Sequence, residues 1–231
     1  MKRLIVGISG ASGVIYGIRL LEVLRLVDGV ETHLVMSNAA RVTTTLETDY
    51  LVEQVEALAD HVYRPGDIAA AISSGSFRSA GMVVAPCSIK TLSGIATSFS
   101  DNLLLRAADV TLKEHRRLVL LVRETPMHLG HLKLLVQVAE LGAVIMPPTP
   151  AFYHRPATLA DVINQTVNRT LDLLDIELDV DLFTRWLGPD RRQERPLVVD
   201  KAEKPETRSA EQAPPLEVIG RRASGILARA Q

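Results

Sequence analysis

The stretch LIVGISGASGVIYGIRLLEVL, residues 4–24, decides the fold. It opens on an apolar run rich in β-branched residues. It turns on Gly7, Gly10 and Gly13, then repeats apolar residues at helical spacing from Ile15 onward. A strand that feeds a helix through a glycine turn sets the helix's unpaired N–H groups and positive dipole end against the turn. An anion belongs at such a place. Glycine lets the backbone approach a phosphate closely, and the hydroxyls of Ser9 and Ser12 add donors. The spacing is G-x-x-G-x-x-G, which differs from the dinucleotide fingerprint G-x-G-x-x-G.

Working outward, further apolar runs at 33–36, 82–85 and 118–122, with a fifth at 143–146, alternate with helix-like segments at 15–26, 88–96, 102–110, 129–141 and 159–176. Strand and helix in alternation predict parallel pairing, hence a doubly wound α/β fold, a three-layer αβα sandwich of Rossmann or flavodoxin type. The chain has 231 residues, 47 % of them apolar and 23 % charged, enough for one well-buried domain. A net charge of −1 gives no reason to invoke nucleic acid. Glycines interrupt the apolar start too early for an export signal or a membrane span, so a cytoplasmic protein without membrane insertion is expected. One cysteine, Cys87, cannot form an intrachain disulfide. The domain is expected to cover 1–188. From 189 onward, five prolines and alternating charges predict a disordered tail.

The second strand ends in Ser37 and Asn38, where a dinucleotide fold carries an acidic residue for the ribose. The turn after the 82–85 strand brings Ser88, Ile89, Lys90 and Thr91, again hydroxyls before a helix. Three strand ends therefore offer hydroxyls and helix N-termini along one sheet edge, a pattern suited to a mononucleotide. Arg123 and Glu124 end the 118–122 strand at the same edge, and a carboxylate among cations there can serve as an acid or base. Arg106, Lys113 and Arg169 are further cations that could converge on one anion. No Asp-rich run could hold magnesium against a diphosphate, so a phosphate ester must be neutralised by Arg, Lys and Tyr. His128 and His131 lack a third ligand, and no metal is expected.

GISGASG, the ETD at 47–49, SSGSF at 73–77, PCSIKTLSGIA at 86–96, RAADVTLKE at 106–114, RETP at 123–126, GAVIMPP at 142–148, AFYHRP at 151–156 and FTRW at 183–186 together resemble the bacterial flavin prenyltransferases of the UbiX type. The tail and Asn38, where lysine is frequent in the family, are departures. The resemblance implies transfer of the dimethylallyl group of dimethylallyl monophosphate to N5 and C6 of reduced FMN without a metal, the prenylated FMN serving a UbiD-type decarboxylase. It also implies a homododecamer with the flavin between subunits. Position by position, Gly10, Ala11, Ser12, Ser37, Ser88, Ile89, Lys90, Thr91 and Arg123 match FMN contacts. Arg106, Lys113, Arg123, Tyr153 and Arg169 match residues around the allylic phosphate. Glu124 matches the principal acid/base, Ser12 its proton-relay companion and Glu47 a second carboxylate. The alternatives are an FMN-dependent cysteine decarboxylase, which shares the fold, and a flavin carrier without chemistry.

Overall fold

The computed structural model describes residues 1–188, and the tail expected from 189 lies outside the described residues. In chain order the elements are β1 (Lys2–Ile8), α1 (Val14–Leu24), β2 (Val30–Met36), α2 (Asn38–Glu47), α3 (Val52–Glu56), β3 (His61–Tyr63), a 3-10 turn (Ala71–Ser73), β4 (Gly81–Cys87), α4 (Ile89–Ala96), α5 (Leu103–Lys113), β5 (Arg117–Val122), α6 (Leu129–Glu140), β6 (Val144–Ile145) and α7 (Leu159–Leu173). The strands lie in the order β3-β2-β1-β4-β5-β6, all parallel. That is the doubly wound order, and its direction reverses between β1 and β4, where a ligand crevice opens beyond the strands' carboxyl ends.

The unbroken apolar runs exist because both sheet faces are covered. Leu4, Val6, Ile8, Leu34, Met36, Val83, Ala85, Val119 and Leu121 bury against α1 and α7 on one face. Their alternates Ile5, Val35, Met82, Val84, Leu118, Leu120 and Val122 bury against α4 and α5 on the other. Each of these Leu, Ile, Val and Met side chains contributes about 1.5–3 kcal/mol by leaving water. The three layers follow from that two-sided burial. In α1 the apolar stripe Val14, Ile18 and Leu21 faces the sheet, and a Cβ on Gly17 would lie 2.3 Å from the Ala85 carbonyl oxygen. Glycine there lets the helix ride close across the switch point.

Three elements differ from the sequence expectation. Gly7 lies inside β1, paired with Val35 and Val84, and is not part of the turn. The three-residue β3 forms the sheet edge, too short to show a strand period. The connection from β2 is helical in α2, whose Val42 and Leu46 face outward and so blur its apolar stripe. The fifth strand appears as β6, pairing Val144 with Val119 and Ile145 with Leu120.

Candidate active site

Four strand ends are stitched into one lip. The Ser37 N–H donates to the Ile8 carbonyl (2.9 Å), Ser9 N–H to the Pro86 carbonyl (3.2 Å), and Arg123 N–H to the Cys87 carbonyl (3.0 Å). Ser9, 1 % exposed, closes the switch point with its side chain. Its hydroxyl donates to the Pro86 carbonyl at 2.8 Å and accepts the Ser88 N–H at 2.8 Å. Ser9 is therefore a clasp between β1 and β4, and its hydroxyl is not free for a phosphate as its position in the turn had suggested.

Gly13 caps α1 in the left-handed region (φ 97°) with no side chain to accept the helix's N–H groups. Glu47, from the last turn of α2, supplies what is missing. Its Oε2 accepts from Gly13 N–H at 2.7 Å and from Val14 N–H at 3.4 Å. The anion expected at this helix end is thus partly the chain's own carboxylate. Among the described residues nothing accepts from the N–H groups of Gly10, Ala11 and Ser12, which remain as donors beside it. A Cβ on Gly10 would lie 2.3 Å from Ala39 Cβ, so glycine here also lets α2 close onto the turn.

Ser37 and Ser88 do two jobs. Each is the N-cap of its helix, accepting from Ala40 N–H (3.0 Å) and Thr91 N–H (3.3 Å), and each stands on the lip. The Ser88 hydroxyl donates to Thr91 Oγ1 at 3.1 Å. The N–H groups of Ile89 and Lys90, first in α4, have no intrahelical acceptor and face the same crevice. Arg123 is exposed and Glu124 half-buried directly after β5, with Glu124 Oε1 accepting from Thr125 N–H at 3.0 Å. Beside the lip a cavity of about 930 Å³ is lined by Asn38, Arg41, Tyr63 and Arg64 among others. Burial of Cys87 pushes its thiol up, leaving it protonated and unsuited as a nucleophile.

These residues fit a flavin mononucleotide. Two sets of backbone donors, at 10–12 and 89–90, flank a switch point with hydroxyls at Ser12, Ser37 and Ser88, and the Arg123 cation stands next along the lip.

The expected phosphate-binding cations do not converge within one chain. Lys113 ends α5 at the edge where the strands begin, opposite the lip, and pairs with Glu114 at 2.6 Å. Arg106 pairs with Asp109 at 2.8 Å and donates from Nε to the Ser73 carbonyl. Tyr153 and Arg169 line a different recess, about 460 Å³, with Phe183, Arg185 and Trp186. There Arg169 meets Asp172 at 2.5 Å, and Arg185 grips the same carboxylate through two bonds of 2.8 Å. The Arg185 guanidinium, with Arg169 adding to it, holds Asp172 below the usual carboxylate range. Arg185 and Trp186 went unassigned in the sequence, although the FTRW segment carried the signal.

A switch-point lip that presents backbone donors, hydroxyls and a cation to one mononucleotide defines a flavin-binding protein of the doubly wound class, and residues 1–170 match the Flavoprotein family. The chain is 69 % identical over 188 residues to flavin prenyltransferase UbiX of Escherichia coli K12, spanning 81 % of this chain and 100 % of that protein. The chain belongs to the UbiX flavin prenyltransferase family. Among solved structures it is similar to AnUbiX (PadA1) in complex with FMN and dimethylallyl pyrophosphate, with TM-score 0.78 and 51 % identity, over 81 % of this chain and 98 % of that one. It is also similar to the dodecameric FMN-dependent UbiX-like decarboxylase of Escherichia coli O157:H7, with TM-score 0.77 and 48 % identity, over 80 % and 99 %.

Proposed function

We propose that this chain transfers the dimethylallyl group of dimethylallyl monophosphate to N5 and C6 of reduced FMN and hands the prenylated FMN to a partner decarboxylase. The observation that carries the reading is the 69 % identity to UbiX across that relative's whole length. When bound, reduced flavin supplies the nucleophilic N5 and C6. Backbone donors at 10–12 and 89–90, with Ser37, Lys90, Thr91 and Arg123, hold and orient it. An allylic monophosphate leaves only where fixed cations meet its developing charge, which is the task of Arg106, Lys113, Arg123, Arg169 and the Tyr153 hydroxyl. Because one chain holds them in separate places, the assembled site draws Tyr153 and Arg169, or Arg106 and Lys113, from neighbouring subunits of a homododecamer.

Glu124, half-buried at the lip, takes and returns protons as the two bonds form, with Ser12 relaying them. Glu47 keeps α1 and the turn in place as well as contributing negative charge. None of the helices among the described residues is long and apolar enough to cross a membrane, and we assign the protein to the cytoplasm.

The test mixes the protein with anaerobically reduced FMN and dimethylallyl monophosphate and weighs the flavin. A gain of one prenyl unit is expected. Unchanged flavin, with a thiol substrate oxidatively decarboxylated instead, would turn the assignment to a cysteine decarboxylase. Glu124→Gln is expected to keep FMN bound while losing most turnover, about 10²–10⁴-fold for a positioned acid/base. Undiminished turnover would remove the role from Glu124.

A further inference from the structure

Opposite the lip, where the strands begin, three ligand-bearing side chains meet on one sheet face. Glu31 and His33 stand two apart on β2, and His61 on β3 is the register partner of His33. Glu31 Oε1 lies 2.7 Å from His61 Nε2 and 3.5 Å from His33 Nε2. All three donor atoms fall within 4.8 Å of one another. The His33 side chain is 3 % exposed, and its Nε2 has no hydrogen-bond partner among the described residues although it points at the carboxylate.

The surroundings organise the cluster as a metal's outer ligands would. His33 Nδ1 lies 2.9 Å from the Tyr63 hydroxyl. With the proton on Nδ1, the Nε2 lone pair and a carboxylate oxygen face each other, and a cation between them relieves the repulsion. The second oxygen of Glu31 accepts from Arg3 Nε at 3.1 Å, which fixes the carboxylate plane. Arg3 stacks on Phe77, and Asp60 accepts from the backbone and hydroxyl of Thr32 nearby.

We propose that Glu31, His33 and His61 form a binding site for a zinc-type divalent cation that ties the edge strand β3 to β2. Two imidazoles and one carboxylate are the donor set of zinc and its late first-row neighbours, whereas magnesium and calcium require oxygen alone. Ligands about 2.0–2.2 Å from zinc stand closer together than the present outer separation. The half-exposed His61 closes the gap by turning out of its stack on His33, whose ring centroid is 4.6 Å away. His33 and Glu31, held by Tyr63 and Arg3, keep their places. The ion anchors an edge strand of only three residues.

The full chain, stripped of metal by a chelator and dialysed, is titrated with zinc chloride by calorimetry while Tm is followed. One zinc per chain and a rise in Tm are expected. His61→Ala and the isosteric Glu31→Gln should each weaken binding at least about tenfold and cancel the Tm rise. Replacing His128 and His131, whose rings lie 3.6 Å apart, should change neither. The proposal is overturned by zinc uptake that survives both His61→Ala and Glu31→Gln, by uptake lost with His128 and His131, or by no uptake at micromolar zinc, which would leave a hydrogen-bonded His–Glu–His group only.

Discussion

Ser9 holds together the two halves of the crevice with a single hydroxyl that is at once donor and acceptor. Ser9→Ala leaves the Ser88 N–H without its acceptor and frees the Pro86 carbonyl from one of two bonds. A buried group left unpaired costs about 1–3 kcal/mol. At about 2–4 °C per kcal/mol for a domain of this size, Tm should fall measurably, and FMN affinity with it, because α4 loses its fixed start. Wild-type melting in Ser9→Ala would show that the clasp is dispensable. The hydroxyls of Ser37 and Ser88 could be read in the sequence because an N-cap announces itself before an apolar-periodic run. The commitment of Ser9 could not, since it depends on which strand lies beside β1. The same holds for Glu47: the family resemblance marks it as a carboxylate of the site, but only the packing of α2 on the turn sets it against α1.

At the scale of elements, α7 and the segment after it are joined through Asp172, which Arg185 and Arg169 keep ionised. A carboxyl whose folded pKa is depressed adds stability that is complete above its unfolded value of about 3.9 and is lost as pH falls through the lower folded value. Asp172→Asn should therefore lower Tm at neutral pH and flatten its decline below about pH 4, relative to the parent chain. Thermal melts across pH 3–7 check this, and parallel curves for the two proteins would exclude Asp172 from the acid response. The four inner strands were legible because burial on both faces writes them as continuous apolar runs. The edge strand β3 was not, since three residues cannot show a period, and its pairing is set by contact with β2. The Glu31, His33 and His61 cluster was hidden for the same reason: its members meet across strands and share no local spacing.

In the whole molecule, the separation of Arg106 and Lys113 on α5 from Arg169 in the α7 recess gives assembly a chemical purpose under the proposed function. The outward stripe of α6, Leu129, Leu132 and Val136, is 67 %, 47 % and 58 % exposed, more apolar surface than a solitary helix face gains by showing to water. If that stripe is a subunit contact, Val136→Glu should leave the far-ultraviolet spectrum unchanged, reduce the mass found by light scattering, and abolish prenyl transfer while FMN binding is only weakened. An unaltered mass would place the contact elsewhere.

The carboxylate of Glu47 at the start of α1 has an electrical consequence for the cofactor loop. A helix end carries about half an elementary positive charge, and one carboxylate more than cancels it. Under the proposed function, a phosphate seated on residues 10–12 would therefore be held there by the direction of its hydrogen bonds, against a neighbouring negative charge. Added salt screens a repulsion at that loop, so affinity for the phosphate end of the ligand should hold, or rise, as ionic strength increases.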